Sequence, residues 1–174
     1  MGIQFETDYN METLTAMAKS LRKTVRRKRS RRVHIFAAVV LVLGILTILA
    51  TVSGGEPLGA SGVVTLLAML VVILVSLFED RLNAWFARKR LLPGTEHAAA
   101  TFEEDGYVSA TSMSESKFSY AQIVAVAETA RYFVFALSSH HTQAYDKRTI
   151  RGGSVEDFRA FIAEKTGKLV EEIK

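Results

Sequence analysis

The sequence has 174 residues, of which 49% are hydrophobic and 23% charged, and its formal net charge is +4. It contains no cysteine, which excludes a disulfide-stapled mini-protein, and its composition excludes disordered and collagen-like chains. The hydrophobic residues are unevenly distributed, because no Asp, Glu, Lys or Arg occurs at residues 33–55 or 57–78. This clustering argues against a fully soluble protein.

Residues 1–32 are predicted to form a short strand and a basic amphipathic helix. Ile3 and Phe5 alternate with polar residues, which is typical of a strand, and this strand could pair with the C-terminal domain. Asn10 is a suitable N-cap for a helix from Met11 to about Arg32. The apolar stripe of this helix consists of Leu14, Met17, Ala18, Leu21 and Val25.

Nine of the fourteen residues at 19–32 are basic. They could hold the helix on an anionic lipid surface or serve only as a topology signal. A nucleic-acid-binding arm is the third interpretation, but the segment lacks interleaved aromatic residues and a nucleic-acid-binding fold, so we expect no nucleic-acid partner. The predicted lipid-interface residues are Lys19, Arg22, Lys23, Arg26, Arg27, Lys28, Arg29, Arg31, Arg32, Trp85, Arg88, Lys89 and Arg90.

Residues 33–52 and 58–78 are predicted to be transmembrane helices, since about 20 apolar residues cover a hydrocarbon core of roughly 30 Å. A cleaved signal peptide is the alternative for the first span. Its apolar region is too long for that, and a second span follows immediately. The link at residues 53–57 is short and lacks Lys and Arg, so we expect an antiparallel hairpin with this loop outside and both termini in the cytoplasm.

Residues 79–94 are predicted to be an interfacial linker, in which Trp85 sits among cations and Leu91–Gly94 ends the helix. Residues 95–174 then form a domain with nine basic and twelve acidic residues, a net charge of −3. Six short strands are predicted at residues 98–103, 107–113, 117–120, 123–129, 132–138 and 142–146. A capping box at Ser154 opens a helix to about Thr166, closed by Gly167. The fold class is therefore a membrane helical hairpin plus an α+β domain, with a small antiparallel curved sheet or partial barrel.

The C-terminal domain contains a series of short motifs in a fixed order, at residues 102–106 (FEEDG), 117–120 (KFSY) with Ile123, Glu128 before residues 132–135 (YFVF), 147–148 (KR), 156–158 (EDF) and Phe161. In these motifs and their order the chain resembles the YcxB-like family of bacterial membrane proteins. Members of that family often have a proline before the lysine, where this chain has Asp146. The resemblance implies a bacterial plasma-membrane protein with a pleckstrin-homology-like cytoplasmic domain, and it implies no enzyme activity.

Candidate reactive groups in the domain have simpler explanations. The neighbours His140 and His141 would point to opposite faces of a strand and rarely share a metal, so a turn is expected there. Residues 103–105 are acids leading into an Asp-Gly turn. Arg148 and Arg151 lie before the last helix and could bind phosphate at its N-terminus, or could simply be solvated. We therefore expect no catalytic residue, metal or cofactor.

The predicted function is that of a non-enzymatic adaptor or scaffold. The bilayer is the first predicted partner, and a cytoplasmic protein or peptide is the second. The alternative is an oligomeric component of a small-solute transporter or channel, because one hairpin cannot enclose a pathway.

Overall fold

The computed structural model describes residues 2–55 and 57–174, so Glu56 of the predicted loop lies outside the described residues. The chain divides into two units. One contains the chain up to residue 27 together with residues 83–174, and the other contains residues 28–82. Each unit is described by itself below.

Two long apolar helices dominate the smaller unit, α2 at Arg27–Ser53 and α3 at Ala60–Leu77. Each is long and apolar enough to cross a membrane, and only 6% of its most apolar stretch is buried. A core helix of a soluble protein would be mostly enclosed instead. The helices contact each other where Gly44 faces Met69, since a Cβ added at Gly44 would lie 2.7 Å from Met69 Sδ. Small residues such as glycine allow this kind of close helix packing.

The helix before α2 is shorter than predicted. α1 spans Met11–Lys23, and Asn10 Oδ1 accepts hydrogen bonds from the backbone nitrogens of Glu12 and Thr13. The prediction of one helix to about Arg32 is wrong, because the backbone leaves the helical conformation at Thr24. Thr24 N still donates to Ser20 O, but the next bonds depart from the helical pattern, since Arg26 N donates to Leu21 O and Arg27 N to Thr24 O.

Two four-stranded sheets form the larger unit, and they do not close into a barrel. The first sheet is antiparallel and its strands, in spatial order, are β1 (Ile3–Asp8), β2 (His97–Phe102), β3 (Tyr107–Thr111) and β4 (Glu115–Phe118). The second has the order β7 (Thr142–Asp146), β6 (Tyr132–Ala136), β5 (Ala125–Glu128) and β8 (Val170–Glu172). All six predicted strands are present, and the N-terminal strand joins the sheet through β2. The strand β8, which pairs with β5 in parallel, was not predicted.

The final helix, α5 (Val155–Thr166), closes the aromatic core. Its predicted capping box is confirmed, and Gly167 ends the helix with φ of 63°. Phe158 and Ile162 on its apolar face are fully buried. The ring of Phe158 lies 4.7 Å from that of Phe5 and 4.8 Å from that of Phe102, so the last helix packs directly on the first sheet.

A smaller apolar cluster holds α1 against the second sheet. Ala16 and Met17 of α1 pack on a buried group formed by Ala127, Tyr132, Val134, Ala144 and Ile173. The Thr13 hydroxyl donates to the Tyr132 hydroxyl over 3.1 Å, and Arg131 forms an ion pair with Glu12. The N-terminal segment is thus an integral part of the C-terminal domain.

Candidate binding cleft

The predicted lipid-interface cations lie on α1, in the turn after it, on α2 and at the end of the helix that follows α3. Lys19, Arg22 and Lys23 lie on α1, whose apolar residues Leu14 and Leu21 are buried within the protein. Arg26 Nε donates to Ser139 O over 2.6 Å, which connects the turn after α1 to the β6–β7 loop. The exposed cations Arg27, Lys28, Arg29, Arg31 and Arg32 form the first turns of α2.

Helix α4 spans Glu79–Lys89, and the predicted cations Arg88 and Lys89 lie in its last turn. Lys89 Nζ lies 3.7 Å from the centre of the Trp85 ring, and Arg88 is exposed. Arg90 comes directly after the helix and lines a cleft in the sheet domain. Lipid contact therefore stays a prediction for these residues. Arg90 differs from the others because it also lines the cleft.

The proposed phosphate-binding residues are already engaged with carboxylates. Arg148 donates to Asp146, and Arg151 lies 3.5 Å from Glu6. The N-terminus of α5 is capped by Ser154 and by the carboxylate of Asp157, which accepts from Ser154 N over 2.9 Å. This hydrogen bonding lowers the pKa of Asp157. An incoming phosphate would meet negative charge there.

The other candidate clusters are also explained by local structure. His140 and His141 lie in the exposed turn between β6 and β7, where both backbone nitrogens donate to Ser138 Oγ. No group of three or more potential metal ligands occurs in residues 2–55 and 57–174. Glu104 of the acidic turn pairs with Lys165 over 2.5 Å, and this bond lowers the pKa of Glu104.

An open cleft of about 350 Å³ is lined by α1, the end of α4 and the first sheet. A second cavity of about 420 Å³ adjoins it, since both are lined by Leu14, Met17, Ala87, Arg90 and Thr142. We call the two together the cleft. Its wall includes residues of α1, the end of α4, β2, the β3–β4 hairpin and the start of β7. The hairpin supplies Ser109, Thr111, Ser114, Ser116 and Phe118.

A fixed amide group forms part of the wall. Gln143 is only 7% exposed, and its Oε1 accepts hydrogen bonds from Tyr107 Oη over 2.7 Å and Tyr145 Oη over 2.8 Å. Burial raises the pKa of both tyrosine hydroxyls, so both stay protonated and donate. Because the two donors fix the amide oxygen, the amide nitrogen is left for another acceptor. Within the described residues no protein group accepts from it.

The β4 strand presents an unpaired edge beside the cleft. Thr111 N donates to Ser114 O, and hydrogen-bonded pairs alternate along an antiparallel ladder, so Glu115 and Lys117 direct their backbone groups away from β3. In contrast, the β1 edge is occupied, because Gln4 exchanges two backbone hydrogen bonds with Arg151. The side chains of Ser116 and Phe118 line the cleft, and those of Glu115 and Lys117 alternate with them.

The described lining of the cleft is cationic, although residues 95–174 carry a net charge of −3. Two arginines, Arg26 and Arg90, and two histidines, His140 and His141, line it, and no Asp or Glu does so in the part of the chain that the structure describes. Arg90 forms no ion pair with any described carboxylate. An acidic group entering the cleft would therefore meet an uncompensated cation.

The cleft was not predicted from the sequence. Its walls come from segments more than a hundred residues apart, such as Leu14 and Gln143, so no local motif marks it. The alternation of Ser114, Ser116 and Phe118 was a visible signal that one face of β4 is less polar than the other.

The comparisons with known proteins agree with this domain assignment. The family model described as YcxB-like protein matches residues 102–162, which confirms the resemblance over β3 to β7 and most of α5. No curated protein and no solved structure matches the chain significantly.

Proposed function

We propose that this chain, whose residues 102–162 are a YcxB-like domain, is a bacterial plasma-membrane protein with a non-enzymatic cytoplasmic interaction module. Two transmembrane helices would anchor it, and the sheet domain would bind an extended segment of a partner protein. The arrangement of two four-stranded sheets and a final helix is compatible with a pleckstrin-homology-like fold.

The pairing of β1 with β2 supports the hairpin topology. β1 ends at Asp8 and β2 begins at His97, so α2 and α3 lie between two strands that are hydrogen-bonded to each other. Paired strands must be on the same side of a bilayer. The chain between them therefore crosses an even number of times, and the cation-rich flanks favour the cytoplasmic side for both.

The free β4 edge beside the cleft is the observation that carries the binding proposal. An incoming strand would hydrogen-bond to the backbone groups of Glu115 and Lys117, which are unpaired within the described chain. Alternate side chains of that strand would enter the cleft, where Met17 and Phe118 supply apolar contacts. The Gln143 amide nitrogen would donate to a carbonyl oxygen of the ligand.

Charge complementarity specifies the ligand further. Because the cleft contains uncompensated cationic character at Arg90 and no described acid, we expect an apolar strand with at least one Asp or Glu. A basic strand would be disfavoured, since it would place like charges together.

Selection from a random peptide library against the full-length protein in nanodiscs tests the proposal. Affinities of selected peptides are then measured by fluorescence polarisation. Lys117→Pro should weaken binding about 10-fold or more, because it removes a main-chain donor worth about 1 kcal/mol and adds a steric block. Lys117→Ala, which keeps the donor, is the matched control and should bind almost normally.

Two further measurements keep the test independent of folding defects. Peptides N-methylated at alternate positions should lose binding in one register and retain it in the other, using unaltered protein. Arg90→Glu should disfavour acidic peptides and favour the corresponding Lys peptides. If no peptide is selected, or if selected peptides bind Lys117→Pro as well as the unaltered protein, the β4 edge is not the binding site.

A further inference from the structure

The tip of the β3–β4 hairpin exposes a large apolar side chain. Met113 is 72% exposed and Leu92 is 70% exposed, and among the described residues of the sheet domain only Leu169, at 89%, is a more exposed large hydrophobic residue. We call Met113 and Leu92 the tip patch. Such exposure at two neighbouring sites indicates a surface that contacts an apolar phase or partner.

Specific contacts hold the tip patch in place. Ser112 Oγ donates to Gly94 O over 2.7 Å, which joins the hairpin tip to the turn that follows α4. Gly94 has φ of 83°, and a Cβ there would lie 2.7 Å from Met113 Cγ, so glycine allows this close approach.

The tip itself is also ordered. Thr111 Oγ1 accepts from the backbone nitrogens of Met113 and Ser114, and Thr111 N donates to Ser114 O over 2.8 Å. Met113 is therefore held outward on a defined turn. Its neighbours Ser112 and Ser114 are uncharged, which keeps the cost of moving the tip out of water low.

Helix α4 and the three residues after it connect the second apolar helix to Leu92. α4 begins at Glu79, two residues after the end of α3, and its eleven residues span about 16 Å. Leu92 follows α4 by three residues, which adds at most about 10 Å. Trp85 and Lys89 stack on one face of α4, a combination that is favoured at the headgroup layer.

From these observations we propose that the tip patch is a lipid-contact site, at which Met113 and Leu92 dip into the interface of an anionic bilayer. Arg88 and Lys89, close to Leu92 in the chain, would meet the lipid headgroups while the tip enters the acyl boundary. The sheet domain would then be held against the membrane at a second point besides its covalent link to the helices. The tip patch shares no residue with the backbone groups of Glu115 and Lys117 that would pair with a bound strand.

Single-cysteine labelling tests the lipid contact cleanly, because the chain has no cysteine of its own. Met113→Cys and Leu92→Cys would each carry an environment-sensitive fluorophore in full-length protein in nanodiscs containing phosphatidylglycerol. Leu169→Cys and Val124→Cys are matched controls, because both are exposed apolar positions elsewhere on the domain. Spin-labelled lipids in the nanodisc serve as quenchers.

We expect blue-shifted emission and at least twofold greater lipid quenching for the Met113 and Leu92 probes than for either control. Adding Met113→Asp to the Leu92→Cys variant should reduce the quenching. Equal quenching at all four positions would overturn the proposal. A blue shift without lipid quenching would also overturn it, since a second copy of the chain would then cover the patch.

Discussion

Replacing Glu128 with Gln should destabilise the sheet domain strongly. The Glu128 carboxylate accepts from Lys147 Nζ over 2.5 Å and from Arg159 Nε over 2.6 Å. It therefore connects the end of β5 to the turn after β7 and to α5. Glu128→Gln keeps the size of the side chain but removes the counter-charge that the two cations share, and Arg159 keeps only its longer contact of 3.9 Å with Glu156 among the ion pairs of the described residues.

The magnitude follows from the burial of the three groups. Side-chain exposures are 9% for Glu128, 14% for Lys147 and 41% for Arg159. Removing one partner of a fully buried pair costs about 3–5 kcal/mol. Since Arg159 can be partly rehydrated, we expect about 2–4 kcal/mol, which for a domain of this size lowers Tm by about 10 °C.

Calorimetry of the detergent-solubilised full chain measures this loss, with Glu172→Gln as the control. Glu172 lines the same cavity as Glu128 but is exposed, so its substitution should change stability by no more than about 0.5 kcal/mol. Equal effects of the two substitutions, or a Tm change of only about a degree for Glu128→Gln, would refute the assignment of Glu128 as a buried ionic link.

The pH dependence of the same pair provides a second check. Hydrogen bonding from Arg159 lowers the pKa of Glu128 below its ordinary value of 4.5 in the folded protein. A carboxylate with a lowered folded pKa stabilises the protein above its unfolded pKa, and this stabilisation is lost as pH falls through the folded value. The Tm difference between the unaltered protein and Glu128→Gln should therefore be full at neutral pH and should shrink below about pH 4.5.

Three other predictions concern the anchor and the last helix. Ser53→Cys should react with an impermeant thiol reagent from outside the cell, whereas Leu169→Cys should react only after permeabilisation. Reaction of Leu169→Cys in intact cells, with Ser53→Cys protected until permeabilisation, would exclude the proposed topology. Replacing Arg27, Lys28 and Arg29 with Gln should reduce co-purified anionic lipid about 10-fold or more, because each cation contributes about 1 kcal/mol. The control substitution Lys168→Gln should leave the amount of bound lipid unchanged. Native mass spectrometry measures the bound lipid, and an unchanged amount in the triple variant would mean that the cations only set topology. Ser154→Ala should lower stability by about 1 kcal/mol through loss of the α5 cap, whereas Ser116→Ala should be nearly neutral, and equal effects in thermal unfolding would contradict this.

Features encoded by neighbouring residues were predictable from the sequence. The capping box at Ser154, the closing Gly167 and the Asp105–Gly106 hairpin were all found where expected. The break at Thr24 was not predicted, because the turn after it contacts a distant loop, where Arg26 donates to Ser139 O. β8 was missed because three residues carry little periodicity, and its parallel pairing with β5 is a tertiary contact.

The candidate cleft was less predictable for the same reason. Four residues of the predicted apolar stripe lie on α1, whereas Val25 lies in the turn after it, and the sequence does not say whether lipid or protein covers the stripe. In the structure, Leu14 and Leu21 are buried inside the sheet domain. Gln143 acquires its role only because two tyrosines from β3 and β7 bond to the same amide oxygen.

The use of both chain ends as strands has a consequence for biosynthesis. β1 is made first, yet its partner β2 leaves the ribosome about 90 residues later, and the second sheet needs β8 at Val170–Glu172. At about 5–20 residues per second, the N-terminal segment must wait several seconds without its partner strand. The apolar helices between them would enter the bilayer during that interval. The domain can therefore mature only after β8 has been synthesised, and a nascent chain truncated before β8 should remain incompletely folded although it is already anchored.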